Sequence, residues 1–269
     1  MPAVRAAAVA GTFYPADHAA LRRTVAELLD VARCRLPDPP ANRSPIAALL
    51  LPHAGYAYSG STAALGYAAL AQDGAAARVR RVVLLGPTHR VAIDGLALPG
   101  VAAFATPLGE VAIASVPPDL RAALPQLVEH PAAHALEHAL EVHLPFLQVV
   151  LPHALVLPLA VGRASPDSVA AVLDALSDGP ETLTVVSSDL SHYHPHGEAE
   201  VRDRATVAQI RRLQPPLTHE QACGATPANG LLALAQRRGW EATLLGRCTS
   251  GDTAGDRRRV VGYAALAFG

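Results

Sequence analysis

Short, almost wholly apolar runs are the feature that most constrains the fold of this chain. They are rich in Val, Leu and Ile and lie at 46–51, 82–86, 95–98, 155–161, 183–188, 241–245 and 260–267. A strand with one face in water alternates apolar and polar residues, whereas continuous hydrophobicity is typical of a strand buried on both faces. The runs therefore predict a sheet that is covered on both sides.

Helical patterns lie between many of these runs. Asp17 is placed to cap the first, and Thr226 with Pro227 provides a cap and first turn for the last. Strands that alternate with helices predict an α/β fold in layers. The Pro-rich stretch 35–45 is expected to be a loop, and residues 1–269 are expected to form one domain. The predicted helices span 16–33, 61–71, 135–150, 166–177, 198–213 and 227–238.

The composition excludes several kinds of chemistry and of partner. A net charge of −1 over 269 residues gives no reason to expect nucleic acid or an anionic membrane. All 22 basic residues are Arg, which excludes a Schiff-base lysine, lysine-bound pyridoxal phosphate and the lysine of a P-loop. The 3 Cys are too few and too scattered for a disulfide framework. No apolar run approaches the ~20 residues of a membrane span, so a soluble, cytoplasmic protein is expected.

Polar residues with reactive side chains follow three of the predicted strands. His53 comes just after 46–51, His89 lies beyond 82–86, and Asp189 and His192 follow 183–188. In open α/β sheets, ligands bind in the crevice beyond the carboxyl ends of the strands. A single His at a strand end is usually structural, but three loops of this kind can converge on one site.

Cys223 adds a possible metal ligand to this set. It lies just ahead of the predicted helix 227–238 that Thr226 caps, where the helix dipole favours the thiolate. Two His and one thiolate leave an open position for water or substrate, the pattern of a catalytic metal site, and they suit Zn, Fe(II) or Cu. Cys248 is a rival ligand, ranked second because no helix start follows it. The Gly/Asp-rich stretch 246–259 around it is expected to be a flexible loop over the site.

Two His-rich stretches complete the candidates. In 129–146, His130 and His134 are expected on a solvated helix face, while Glu141 and His143 either line the site or lie on that surface. In "HYHPH" at 192–196, only His192 is expected to point inward.

Taken together, these segments resemble the Memo-like family, called in bacteria and archaea the AmmeMemoRadiSam system protein B. The matching stretches occur in the family's order and cover nearly the whole chain: "AGTFYPAD", "PHAGYAYSG", "LLGPTHR", "EHALEVHLPFLQ", "VVSSDLSHY", "ACG", "SGD" and "VVGYAALAF". The resemblance implies a fold similar to the B subunit of class III extradiol dioxygenases, a layered α/β sandwich with a central mixed sheet flanked by helices.

The resemblance also implies a metal site. Family members bind redox-active iron or copper through two His and a Cys, which correspond here to His53, His89 and Cys223 and favour Cys223 over Cys248. Asp189 and His192 match further polar pocket residues of the family. The dioxygenases themselves use a carboxylate as third ligand, so ring cleavage does not follow from the likeness. Where animal members carry a Trp-Tyr pair, this chain has Phe13 and Tyr14, and Arg90 replaces a His that often follows His89.

These observations lead to a functional hypothesis and two alternatives. The hypothesis is a redox or dioxygenase-like enzyme that holds one transition metal ion, iron(II) or copper rather than zinc, and acts on a small substrate. His192 is expected to act as general acid/base and Asp189 to orient His192 or a ligating His. The expected substrate contacts are Tyr56, Phe13, Tyr14, Glu141 and His143.

The first alternative is a binding module that captures an anionic peptide or metabolite without turnover, and the second is zinc-dependent hydrolysis. The resemblance further implies a functional link to a radical-SAM protein and an AMMECR1-like protein.

Overall fold

The computed structural model describes residues 3–38, 44–177 and 179–269. Its main feature is a nine-stranded sheet in the order β10-β12-β2-β9-β3-β8-β4-β7, with β11 paired to β12. The strands of this sheet are β2 Ala48–Leu51, β3 Arg81–Pro87, β4 Leu96–Leu98, β7 Leu127–Glu129, β8 Leu155–Val161, β9 Thr182–Ser187, β10 His192–His194, β11 Ala242–Thr249 and β12 Val260–Phe268. A second, three-stranded sheet consists of β1 Val4–Arg5, β5 Ala103–Thr106 and β6 Gly109–Ala112.

Helices cover the large sheet on both faces. They are α1 His18–Arg35, α2 Ser61–Gln72, α3 Ala75–Arg78, α4 Pro118–Ala123, α5 Pro131–Ala135, α6 Leu144–Val150, α7 Pro166–Leu176, α8 His196–Arg211 and α9 Ala225–Arg238. A π-helical turn, Tyr56–Gly60, precedes α2, and 3₁₀ turns span Glu141–His143 and Ser250–Asp252.

The centre of the large sheet is parallel and its flanks are antiparallel. Strands β2, β9, β3 and β8 run in the same direction, while β12 runs against β2 and β4 against β8. Because the parallel strands share one direction, their carboxyl ends meet at one edge of the sheet. This mixed sheet flanked by helices confirms the predicted fold class.

Alternate residues of the central strands enter two different cores. Leu49 and Leu51 pack into the core formed with α1, α2 and α6. The residues that alternate with them, Ala48 and Leu50, point to the opposite face and pack into the core formed with α7 and α9. Both faces of the strands therefore need apolar side chains, which explains the continuous hydrophobic runs.

The prediction of one helix over 135–150 is wrong. The chain forms α5, an irregular turn, a 3₁₀ turn and then α6. Pro131 and Pro145 lie in the first turns of α5 and α6, where a proline costs no hydrogen bond. An uninterrupted helix would place Pro145 in its interior, so the chain divides there.

Several boundaries also differ from the prediction. Strand β11 continues to Thr249 and a 3₁₀ turn follows it, so the first part of 246–259 is not a flexible loop. Helix α9 begins at Ala225, earlier than the Pro227 start expected. The predicted loop 35–45 includes 39–43, which lie outside the described residues. Within the described ranges, no helix combines the length and apolar character that crossing a membrane requires.

Candidate metal centre

The carboxyl ends of adjacent parallel strands bring the predicted histidines together. His53 follows β2, and His89 follows β3, with β9 between those two strands. Their ring centroids lie 5.2 Å apart in an edge-to-face arrangement. The convergence expected from the strand ends is therefore present.

A third imidazole, which the sequence analysis did not select, completes the cluster. His138 stacks on His89 with ring centroids 4.6 Å apart and lies edge-on to His53 at 5.4 Å. One potential ligand atom from each of His53, His89 and His138 lies within 4.8 Å of the other two. That spacing is small enough for a single metal ion to contact all three.

Glu137 orients His89 and lies beside His138. One carboxylate oxygen accepts a hydrogen bond from the His89 Nδ1 at 2.8 Å and lies 3.4 Å from the His138 Nδ1. The other oxygen accepts from the His89 backbone N–H at 2.7 Å. Burial raises the pKa of Glu137, but the hydrogen bonds from His89 outweigh it and the net pKa is lowered. Since the carboxylate only accepts, the neutral His89 carries its proton on Nδ1 and leaves Nε2 free.

Ser187, the last residue of β9, orients His53 in the same way. Its hydroxyl donates to the Ala139 carbonyl at 2.7 Å. The remaining lone pairs of Oγ must therefore accept from the His53 Nδ1 at 2.7 Å and the His143 Nε2 at 2.9 Å. His143 Nδ1 then accepts from the Tyr67 hydroxyl at 2.9 Å. The Nε2 atom of His53 is left unprotonated.

Cys223 lies against that free nitrogen. Its Sγ is 3.2 Å from the His53 Nε2 and its backbone N–H donates to the Asp189 carbonyl. Cys248, the rival, lies in β11 and contacts the Thr62 hydroxyl at 3.0 Å. The structure thus places Cys223, and not Cys248, beside His53.

The protonation states differ from the sequence-based expectation at Cys223. Burial, followed by the nearby Asp189 carboxylate, raises the pKa of its thiol to about 12. The Gly224 backbone N–H at the helix start lowers this pKa, as expected, but burial outweighs it, so the thiol keeps its proton while no metal is bound. Burial, followed by the neighbouring His89 and His138, lowers the pKa of His53 well below its ordinary value.

Asp189 and His192 lie at the same edge. Asp189 was expected to orient either His192 or a ligating His, and its hydrogen bond is to the backbone of His53. The Asp189 carboxylate accepts from the His53 backbone N–H at 2.8 Å, and burial raises its pKa to about 7. The His192 Nδ1 donates instead to the Leu190 carbonyl at 2.8 Å. Asp189 therefore positions the backbone of the His53 loop. Burial, followed by the nearby His89, lowers the pKa of His192.

Among the predicted substrate contacts, Phe13 packs against the cluster, with its ring centroid 4.8 Å from that of His138. Glu141 is fully buried and accepts hydrogen bonds from Arg5, the backbone of Ala8 and Val9, and the Tyr14 hydroxyl. Tyr14 and Glu141 thus hold the N-terminal segment rather than presenting free polar atoms. The Tyr56 hydroxyl donates to the Val142 carbonyl at 2.8 Å.

His134 is not on a solvated helix face. It is 2 % exposed, and its Nε2 donates to the Ala97 carbonyl at 2.8 Å. Its partner in that prediction, His130, caps the start of α5 and is half-buried. The expectation for His134 failed because α5 packs against the sheet at β4.

A cavity of about 270 Å³ adjoins the cluster on the side of His89 and Cys223. Thr88, Thr226 and His219 contribute polar groups to its lining, and Ile93 contributes an apolar wall. The two candidate ligands are therefore accessible to a small molecule.

The family assignment follows from comparison of the whole chain. The sequence model described as "Memo-like protein" matches residues 5–267. The chain belongs to the Memo-like family. A MEMO1 family protein of Sulfolobus acidocaldarius is 34 % identical, with 99 % of each chain covered. Those of Ignicoccus hospitalis and Methanopyrus kandleri are 35 % and 34 % identical, each covering 98 % of both chains.

The Memo-like segment "EHALEVHLPFLQ" contained the two residues that sequence reasoning missed. Glu137 and His138 are its first two residues, yet only Glu141 and His143 of this segment were predicted to belong to the site. The adjacent Glu-His pair was the signal that could have identified them. The predicted helix over 135–150 hid this signal, because it placed the pair on a solvated face.

Proposed function

We propose that this Memo-like protein binds one redox-active transition metal ion, iron(II) or copper, between His53, His89 and Cys223, and that it is a redox or dioxygenase-like enzyme acting on a small substrate. The observation that carries the proposal is the pair of oriented imidazoles. The Nδ1 atoms of His53 and His89 each donate a hydrogen bond to a buried acceptor. The lone pair on each Nε2 is therefore available to a metal.

The donor set fits such an ion. Neutral imidazole and a Cys thiol that loses its proton on binding suit iron, copper or zinc and are poor ligands for magnesium or calcium. Buried Glu137 and Ser187 supply the hydrogen bonds that metal-binding histidines ordinarily make through their second nitrogen. When bound, iron or copper would supply one-electron chemistry and an open coordination position.

The third donor is a choice between two groups. Cys223 Sγ lies 3.2 Å from the His53 Nε2, and His138 belongs to the compact imidazole cluster. The family resemblance favours Cys223, because it corresponds to the family's third ligand. His138 would then flank the ion.

His192 is the proposed general acid/base. Its Nδ1 proton is held by the Leu190 carbonyl, so in the neutral ring Nε2 is the atom that accepts or returns a proton. Asp189 holds the His53 loop in place, and Phe13 forms an apolar wall beside His138. We further propose a functional link to a radical-SAM protein and an AMMECR1-like protein.

Elemental analysis of protein purified without oxygen tests the function. We expect about one equivalent of iron or copper in the wild type, loss of that metal in His53→Ala, and full retention in His153→Ala, which replaces an exposed histidine outside the site. His192→Ala should also retain the metal while redox cycling with ascorbate and oxygen slows. Zinc in place of iron or copper would favour hydrolysis. A metal-free, folded wild type would instead favour the binding module.

A further inference from the structure

The irregular turn from Glu137 to Ala139 contacts each part of the imidazole cluster. The Glu137 carboxylate accepts two hydrogen bonds from His89, and His138 is itself a member of the cluster. The Ala139 carbonyl accepts from the hydroxyl that orients His53. The turn belongs to no helix or strand, so contacts from other elements must hold its backbone in place.

Arg5, from the short strand β1, holds that backbone. Its side chain is buried, and Nε donates to the His134 carbonyl at 2.6 Å while Nη2 donates to the Glu137 carbonyl at 2.7 Å. The third nitrogen, Nη1, donates to the Glu141 carboxylate at 2.5 Å. Because the guanidinium is a rigid planar fork, it fixes these three acceptors relative to one another. Arg5 therefore contacts the chain before the turn, at its first residue and beyond its end.

Glu141 also places the N-terminal segment beside the cluster. Its carboxylate accepts from the backbone N–H groups of Ala8 and Val9 at 2.8 and 2.9 Å. Further along this segment, the ring centroid of Phe13 lies 4.8 Å from that of His138. One buried ion pair thus connects the turn to the segment that forms the apolar wall of the site.

We propose that Arg5 is a positioning residue of the metal centre. It holds the turn in the path that orients both His89 and His53. This inference rests on the proposed function, because oriented imidazoles are what a metal ion requires. The hydrogen bonds to the two carbonyls carry this role, and the positive charge alone does not. A lysine could still pair with Glu141, but its ammonium lacks the planar fork that reaches both carbonyls.

Nitrogen-15 NMR of the histidine rings in the metal-free protein tests this role, because it distinguishes a ring protonated on Nδ1 from one protonated on Nε2. At about pH 8, where histidine is neutral, the wild type should show His89 protonated on Nδ1. Arg5→Lys should show a mixture of both forms, since the Glu137 carboxylate moves away from that ring. Arg237→Lys, which replaces an exposed arginine paired with Asp167 at 2.5 Å, should keep the wild-type spectrum.

Affinity for cobalt(II) is the second measurement. Competition with a chromophoric chelator should give a dissociation constant about tenfold higher in Arg5→Lys than in the wild type, and an unchanged one in Arg237→Lys. Urea unfolding establishes that each variant is folded. Should Arg5→Lys not fold, the double variant Arg5→Gln/Glu141→Gln leaves no unpaired buried charge and should show the same two changes.

A folded Arg5 variant with the wild-type His89 spectrum would overturn the positioning role, as would an equal loss of cobalt affinity in Arg237→Lys. The NMR measurement needs no metal, so this inference and the proposed function can fail separately. If the wild type binds no metal but Arg5→Lys still yields the mixture of His89 forms, the metal proposal fails and the positioning role stands.

Discussion

A single hydroxyl sets the protonation pattern of two buried histidines. Ser187 Oγ has one proton and gives it to the Ala139 carbonyl, so His53 and His143 must both donate to it. The residue is fully buried, and no other orientation of its proton satisfies Ala139. The lone pair of His53 that faces Cys223 is therefore a consequence of the position of Ser187 at the end of β9.

Glu137 has the corresponding role for His89, and its charge can be removed without changing its shape. We expect Glu137→Gln to weaken metal binding by about 10- to 100-fold. A neutral amide makes the His89 Nε2 a weaker metal ligand than the carboxylate does, and it no longer fixes the tautomer of the ring. Competition with a chromophoric chelator measures the affinity.

Glu129→Gln is the matched control. Glu129 is exposed and pairs with Arg121 at 3.3 Å, so this variant should keep the affinity of the wild type. Equal affinity in Glu137→Gln and the wild type would show that the carboxylate has no part in holding the ligand.

His134 predicts a pH dependence of stability. Burial lowers its pKa to about 4, so between pH 6.5 and 4 the unfolded chain binds a proton that the folded protein does not. The stability that this residue supports is complete above pH 6.5 and falls by about 3 kcal/mol as the pH drops to 4.

Urea unfolding at pH 7 and pH 4 checks this sign. His134→Gln cannot titrate, so its loss of stability over that interval should be smaller than that of the wild type by about the same amount. His153→Gln, which replaces an exposed histidine, should follow the wild type. A His134→Gln protein with the wild-type pH dependence would contradict the assignment.

At the scale of elements, strands that form continuous apolar runs could be predicted from the sequence, and strands without such a run could not. Strands β3, β8 and β12 follow from apolar runs that both cores require. Strands β1 and β7 have two and three residues, too few to show a period. They form because neighbouring strands complete their hydrogen bonds, which is a tertiary effect.

The close packing of α8 on β12 gives a second stability prediction. A Cβ at Gly262 would lie 1.8 Å from Asp203 Oδ2, and the Oδ1 of that buried carboxyl accepts from the Ser191 backbone N–H at 3.0 Å. We expect Gly262→Ala to lower the free energy of unfolding by about 3 kcal/mol, because either the strand or the Asp203–Ser191 contact must move.

Gly197→Ala provides the comparison for this variant. A Cβ at Gly197, in the first turn of α8, meets no atom within 4 Å, so this substitution should be neutral or slightly stabilising. Denaturant unfolding of both variants decides the matter. Equal stabilities for Gly262→Ala and the wild type would mean that α8 and β12 are not in close contact.

At the scale of the whole molecule, the site is a consequence of strand direction. Three parallel strands, β2, β9 and β3, end at one edge, and the residues that follow them are His53, Asp189 and His89. The sequence shows that each of these residues follows an apolar run, so this part of the site could be predicted. The family resemblance added the choice of Cys223 over Cys248.

The remaining part of the site depends on a segment without a regular period. Glu137 and His138 lie on the irregular turn between α5 and the 3₁₀ turn at Glu141–His143. In a continuous helix Glu137 and Glu141 would share a face, yet one contacts His89 and the other Arg5. Only the path of this turn, set by its prolines and by the strands it packs on, decides where His138 lies.

Two imidazoles and the Cys223 thiolate are the proposed metal ligands, and X-ray absorption spectroscopy of the iron- or copper-loaded protein identifies the donor atoms. We expect one sulfur ligand together with nitrogen ligands at a shorter distance. The sulfur should disappear in Cys223→Ser and persist in Cys248→Ser. A shell of nitrogen and oxygen alone in the wild type would show that Cys223 is not a ligand.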